Sequence, residues 1–252
     1  MVLALLVIIG GSGLIYYTQV SYPAQLKAHT VASATALASD HATAAVQAQA
    51  TATASLIDSN PNPYPPGSGM LALYDPLNHN DRGYQWDSVR NSSGACGFTG
   101  QAYDVSTPQK HFFFFCTAEA TDFSNFAFEA QMQILKGDCG GLIFRSDANS
   151  GKLYLFEVCQ DGTYSLYLYK SFSGATAKTL VSGSNPAINP GLDKTNVIAV
   201  VAKGSSFKLY VNRQPIDIIT DSTYSHGQIA LFALASPDPT EVAFNNAKVW
   251  TL

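Results

Sequence analysis

Residues 124–159 read SNFAFEAQMQILKGDCGGLIFRSDANSGKLYLFEVC, and their spacing decides the fold. Phe126, Phe128, Ala130, Met132 and Ile134 alternate with Ala127, Glu129, Gln131 and Gln133. A period of two puts the two sets on opposite faces of a strand. Two further apolar runs, Gly140 to Arg145 and Leu153 to Cys159, flank the polar turn Ser146 to Lys152. Paired as an antiparallel hairpin, they set Phe144 opposite Tyr154, Leu142 opposite Phe156 and Cys139 opposite Cys159. Opposed residues of a non-hydrogen-bonded pair lie close enough for a disulfide. Cys96 and Cys116 similarly flank a turn near Ser106, Thr107 and Pro108, so Cys96–Cys116 and Cys139–Cys159 are the expected bridges. Four cysteines placed this way point to an oxidising compartment. The alternative is four buried free thiols in a cytosolic protein.

The same period continues downstream. Asn196 to Ala202, Phe207 to Val211, Ile216 to Ile219, Gly227 to Ala235 and Glu241 to Leu252 all have strand character, with turn residues between them. No amphipathic helical stretch follows Pro66. The pattern predicts an all-β, two-sheet antiparallel β-sandwich of jelly-roll type over residues 70–252. A unit of that size buries roughly 70% of its unfolded surface, enough for one core. Phe112 to Phe115, four aromatics in a row, is expected to be a strand buried on both faces; a sticky partner-binding edge is the alternative.

Upstream the chain changes character. Val2 to Val20, VLALLVIIGGSGLIYYTQV, carries no charge, and residues 1–22 are expected to form a transmembrane helix with Tyr16, Tyr17 and Tyr22 at the interface. A cleaved signal peptide would want a basic start and a nearby small-residue cleavage site, and neither is present. A span this close to residue 1 would also suit a piece of a longer receptor. Residues 23–69 are expected to be a linker: an Ala/Thr-rich semi-flexible stalk from Ala24 to Ala54, then the Pro-rich NPNPYPPGSG from Asn60 to Gly69 as the domain boundary. The expected setting is a single-pass protein of the cell membrane, with the lipid bilayer as partner through residues 1–22 and the C-terminal domain extracytoplasmic. The cysteines decide that orientation, because Lys27 is the only nearby basic residue.

Composition excludes several functions. A net charge of −4 with no basic block removes the electrostatic drive for nucleic-acid binding. The five histidines show no paired metal spacing. Asp75 to Asp81, DPLNHND, offers oxygen ligands for Ca2+, but it lacks EF-hand spacing and has the composition of a turn. No other metal or cofactor is expected. There is no serine elbow, P-loop or dinucleotide fingerprint.

In the hairpin register above, Leu142, Phe144, Tyr154, Phe156 and Val158 share a core face, and Ile143, Arg145, Leu153, Leu155 and Glu157 share the other. If Gln160-Asp161-Gly162 is a three-residue loop, Tyr167 and Tyr169 join Arg145 and Glu157. If the turn is Asp-Gly alone, parity flips and both tyrosines enter the core. The first register makes Arg145, Glu157, Tyr167 and Tyr169 candidate ligand-binding residues: flat rings stack on sugar faces and a charged pair binds hydroxyls. The competing view is a cross-strand ion pair beside exposed tyrosines on a solvated sheet face.

FSNFAFEAQMQILKGDCGGLIFRSD followed by YLFEVCQDGTYSLYLY resembles the concanavalin A-like lectin/glucanase sandwich, and more narrowly the 3-keto-disaccharide hydrolase-like domain. The likeness runs from about Tyr74 to Leu252. It rests on Gly140-Gly141 leading to Phe144-Arg145, the turn Asp161-Gly162, the hairpin Tyr210-Val211-Asn212, and Gly227-Gln228-Ile229 before a strand. Such sandwiches, behind a membrane span and a linker, look like the extracytoplasmic parts of certain bacterial receptor Ser/Thr kinases. The resemblance implies a carbohydrate ligand or glycoside chemistry. The glucanase branch carries Glu-x-Asp-x-x-Glu on one strand, and no such run exists here: Glu119, Glu129 and Glu241 are isolated, and Glu157 and Asp161 straddle a turn. No catalytic residue is assigned. The expected function is therefore a lectin-like binding or sensing module for a carbohydrate or cell-envelope polymer. A glycoside hydrolase and a self-assembling structural protein are the alternatives.

Overall fold

The structure, a computed structural model, describes residues 35, 37–52, 55, 60–65, 67–172 and 177–252. The expected transmembrane helix over 1–22 lies outside the described residues. Among the described residues, no helix is long and apolar enough to cross a membrane. The chain divides into two units, Met1–Ser59 and Asn60–Leu252. In the first, residues 37–52 of the Ala/Thr stretch are helical and exposed. Alanine sets that preference, and Thr43 and Thr51 fold their hydroxyls back onto the carbonyls of Ser39 and Gln47.

The second unit is all-β. In chain order its strands are β1 (Met70–Asp75), β2 (Val89–Arg90), β3 (Ala95–Phe98), β4 (Tyr103–Thr107), β5 (Phe112–Thr117), β6 (Phe126–Lys136), β7 (Cys139–Asp147), β8 (Lys152–Cys159), β9 (Thr163–Tyr169), β10 (Lys178–Ser184), β11 (Thr195–Lys203), β12 (Ser206–Val211), β13 (Gln214–Thr220), β14 (Gln228–Ala235) and β15 (Thr240–Thr251). They form two antiparallel sheets packed as a sandwich. The larger runs β13-β12-β11-β6-β15-β4-β3-β2, and β15 is long enough to carry β1 beside β4 on one of its edges. The smaller runs β10-β9-β8-β7-β14-β5.

The alternation seen in the sequence sets the layers. Phe126, Phe128, Ala130, Met132 and Ile134 of β6 meet Leu142, Phe144, Tyr154, Phe156 and Val158 of β7 and β8 in the main core between the sheets. The β7–β8 register pairs Phe144 with Tyr154, Leu142 with Phe156 and Cys139 with Cys159, as the hairpin reading expected. At the β6–β7 turn, Gly137 has φ 81°, and a Cβ there would collide with the Thr240 hydroxyl and the Pro239 carbonyl.

Both expected disulfides are present, Cys96–Cys116 and Cys139–Cys159. Their roles differ from the sequence reading in one respect. Cys139–Cys159 staples a hairpin, but Cys96 lies on β3 of the larger sheet and Cys116 on β5 of the smaller, so that bridge ties the two sheets together. The chain changes sheet after Pro108, where a simple hairpin was expected.

Two further expectations change. Asn60–Gly69 is not a boundary linker: Asn62 and Tyr64 are buried, and the Trp250 indole N–H donates to the Asn60 carbonyl. Tyr64, Tyr210 and Trp250, with Ala127, Ala199 and Val201, form a second apolar layer on the outer face of the larger sheet. Pro61, Pro63 and Pro65 restrict the backbone on either side of Tyr64, a turn closes from the Gly67 N–H to the Tyr64 carbonyl, and the Tyr64 ring packs on that face. Phe112–Phe115 is not buried on both faces, because β5 is an edge strand, and Phe112 is 39% exposed.

Candidate functional site

β8 places Glu157 on the outer face of the smaller sheet, between Gly141 of β7 and Ser165 of β9. The β8–β9 connection is the three-residue loop Gln160-Asp161-Gly162, closed by a bond from the Gly162 N–H to the Cys159 carbonyl, with Gly162 at φ 87°. That loop pairs Leu155 with Tyr167 and Leu153 with Tyr169, so both tyrosines lie on the Glu157 face. They are half-buried, with ring centroids 6.4 Å apart, and the Tyr169 ring lies 5.2 Å from that of Phe113. Beneath them Ile143, Leu153, Leu155, Ala230 and Phe232 form a small apolar layer.

At the loop end of this face is a cleft of about 540 Å³. The Cys139–Cys159 disulfide and Glu157 line it, with Tyr167, Tyr169 and Leu234 on its walls. Asp138 and Asp161 stand at its rim. Each of these two aspartates already holds a neighbouring loop. The Asp138 carboxylate accepts the N–H groups of Ser236 and Asp238, and the Asp161 carboxylate accepts the N–H and hydroxyl of Thr163. Glu157 is different. It is 8% exposed, and among the described residues its carboxyl has one contact of hydrogen-bond length, Cys159 Sγ at 3.6 Å. That sulfur belongs to the disulfide and carries no proton, so it donates nothing. Burial, with Asp161 adding repulsion, pushes the Glu157 carboxyl up from 4.5 to about 7. Tyr169 is pushed up to about 12, by burial and then by Glu157.

Arg145 does not join this group. It sits at φ 48° where the β7–β8 register shifts, and the left-handed turn swings its side chain off the outer face. The guanidinium lies 5.2 Å from the centroid of the core ring Phe207 and donates to the carbonyls of Ser124, Gly204 and Tyr224. It is 2% exposed and acts as a clamp for three loops at one end of the sandwich. The expected Arg145–Glu157 pair is therefore not made. The period-two count ran one residue past the point where the strand stays regular.

The described residues hold one cluster of three potential metal-ligand atoms, those of Cys139, Glu157 and Cys159, within 4.8 Å of one another. Two of the three are sulfurs of the disulfide, which leaves a single carboxylate and no metal centre. In the Asp75–Asp81 loop, Asp75 accepts the Leu77 N–H and the Trp86 indole N–H, so its oxygens are engaged in the turn. Asp138 and the contact of Phe113 with Tyr169 escaped the sequence reading, since they depend on how β5, β14 and the loops meet rather than on local period.

No family model matches the sequence, and no curated protein matches it. Solved structures do match the fold. One is a carbohydrate-binding module, CBM66, from Bacillus subtilis, 22% identical, covering 66% of this chain and 95% of that one, with a TM-score of 0.54. Another is a Bacillus subtilis protein of unknown function with a galectin-like fold, 15% identical over 72% of this chain and 96% of that one, TM-score 0.53. A third is the catalytic domain of an endo-1,3-beta-glucanase (laminarinase) from Thermotoga petrophila, 9% identical over 73% of this chain and 98% of that one, TM-score 0.51. These likenesses concern the fold, and the second unit of this chain is a concanavalin A-like sandwich.

Proposed function

We propose that the sandwich is a carbohydrate-binding module, and that its saccharide sits in the cleft of Glu157, Tyr167 and Tyr169. The observation that carries this reading is Glu157: a buried acid with no donor, open to a cleft beside two half-buried rings. A buried carboxyl without hydrogen-bond partners costs stability. Sugar hydroxyls supply those partners, and tyrosine rings give a flat apolar surface for the C–H face of a pyranose. Binding rather than hydrolysis is favoured because Asp138 and Asp161 each commit one carboxylate oxygen to two loop donors. The fold shared with a carbohydrate-binding module adds weight. The setting belongs to the same proposal: an extracytoplasmic domain, consistent with two disulfides, tethered to the cell membrane through the apolar residues 1–22.

The test is a glycan array followed by calorimetry on the full chain. Binding that falls at least tenfold in Tyr167→Ala and in Glu157→Gln, with folding intact by circular dichroism, is expected. Binding untouched by either change removes the cleft from the account. A second reading, glycoside hydrolysis, is favoured by one observation: Glu157 carries its proton close to neutral pH, as a general acid must. Incubation with oligosaccharides and product analysis separates the two, because a binding module leaves chain lengths unchanged.

A further inference from the structure

Taking the saccharide cleft as given, its charges say more about the ligand. Asp138, Glu157 and Asp161 line it, and no lysine, arginine or histidine is among the described lining residues. Neighbouring strands and loops bring carboxyls, tyrosines and a disulfide toward Glu157, but nothing positive. A buried acid in a protein is ordinarily matched by a cation or by several donors. Glu157 has neither among the described residues. The rim aspartates extend the same negative field outward, where it repels anions and attracts cations. Tyr167 and Tyr169 add ring faces, which also favour a cation.

We propose that the cleft is selective for amine-bearing saccharides, the ammonium group of an amino sugar pairing with the Glu157 carboxylate while the tyrosines cover the ring. The ligand then supplies the missing partner through a charge-assisted hydrogen bond at the foot of the cleft. Acidic glycans, such as uronate oligomers, are disfavoured by the Asp138 and Asp161 carboxylates that line the cleft beside Glu157.

The experiment is titration calorimetry of the full chain at about pH 7, where Glu157 is about half ionised and amino groups still largely carry their proton. The probes are matched oligomers of glucosamine, N-acetylglucosamine, glucose and glucuronate. The glucosamine oligomer is expected to bind roughly 10- to 100-fold tighter than its acetylated and neutral counterparts, and the glucuronate oligomer weakest. Glu157→Gln should bring the amine-bearing oligomer down to the level of the neutral ones. Asp161→Asn, which keeps an oxygen for Thr163, should weaken it by a smaller factor. Equal affinity for amine-bearing and neutral oligomers, lost together in Tyr167→Ala, overturns the inference and leaves the saccharide reading standing. A preference for the amine that survives in Glu157→Gln is general attraction to an acidic protein and overturns it too. Binding of none of the oligomers counts against both.

Discussion

Glu129 and Glu157 occupy equivalent places on the two sheets. Each sits on the outward side of an interior strand and each is buried, at 4% and 8% exposure. Their surroundings differ. Glu129 accepts the Tyr64 hydroxyl at 2.6 Å and has Lys248 and Arg213 at 3.9 and 3.8 Å. The chain delivers that hydroxyl itself by folding the Pro-rich Asn60–Gly69 back onto the larger sheet, where Tyr64 also packs on Tyr210 and Trp250. No described residue does the same for Glu157. One outer face is closed by the protein's own segment. The other keeps a cleft beside an acid without donors. The difference teaches where a ligand is needed: an unpartnered buried polar group is tolerated where something from outside completes it.

The largest effect expected from this comparison is at the cap. Tyr64→Ala removes a buried ring from the layer with Trp250 and the hydroxyl from Glu129, and should cost about 3–5 kcal/mol in urea unfolding. A loss under about 1 kcal/mol would mean that the segment only rests on the sheet.

Next is the pH dependence of the uncapped acid. The folded-state pKa of Glu157 lies above its ordinary value, so the folded protein holds this proton more tightly than the unfolded chain. Its contribution is full below about pH 4.5 and is lost as pH rises through about 7. The shift corresponds to about 3 kcal/mol. Glu157→Gln should therefore be more stable than the parent at about pH 8 by an amount approaching that figure, and should lose this part of the pH dependence. Denaturant melts at several pH values check it, and identical profiles would mean that Glu157 has a partner after all.

The smallest effect has the opposite sign. Glu129→Gln leaves Lys248 facing a neutral amide and weakens the Tyr64 bond, so the same chemical change should destabilise by about 1–3 kcal/mol. If both glutamines shift stability in one direction, the contrast between the two faces fails.

The sequence made the sandwich legible because period two runs cleanly through β6, β7 and β8 and the cysteines fix the hairpin register. It also brought Glu157, Tyr167 and Tyr169 to one face, once the loop at Asp161 is counted as three residues. Arg145 was misplaced because a single left-handed residue at a bulge breaks the alternation, and an arginine gives no local sign of adopting it. Tyr64 was missed for another reason. A Pro-rich stretch has the composition of a linker, and only the distant Trp250 and Glu129 make it a cap. Cys96–Cys116 was paired correctly but assigned the wrong role, since the sheet change between β4 and β5 has no local signature.

The most direct test follows the Glu157 side-chain carboxyl carbon by NMR as pH is varied, with and without a glucosamine oligomer. A midpoint of about 7 is expected in the free protein, assigned by its disappearance in Glu157→Gln, with a fall of the midpoint when the oligomer is bound. A midpoint in the ordinary glutamate range, unmoved by this or any other saccharide, would contradict the role proposed for Glu157.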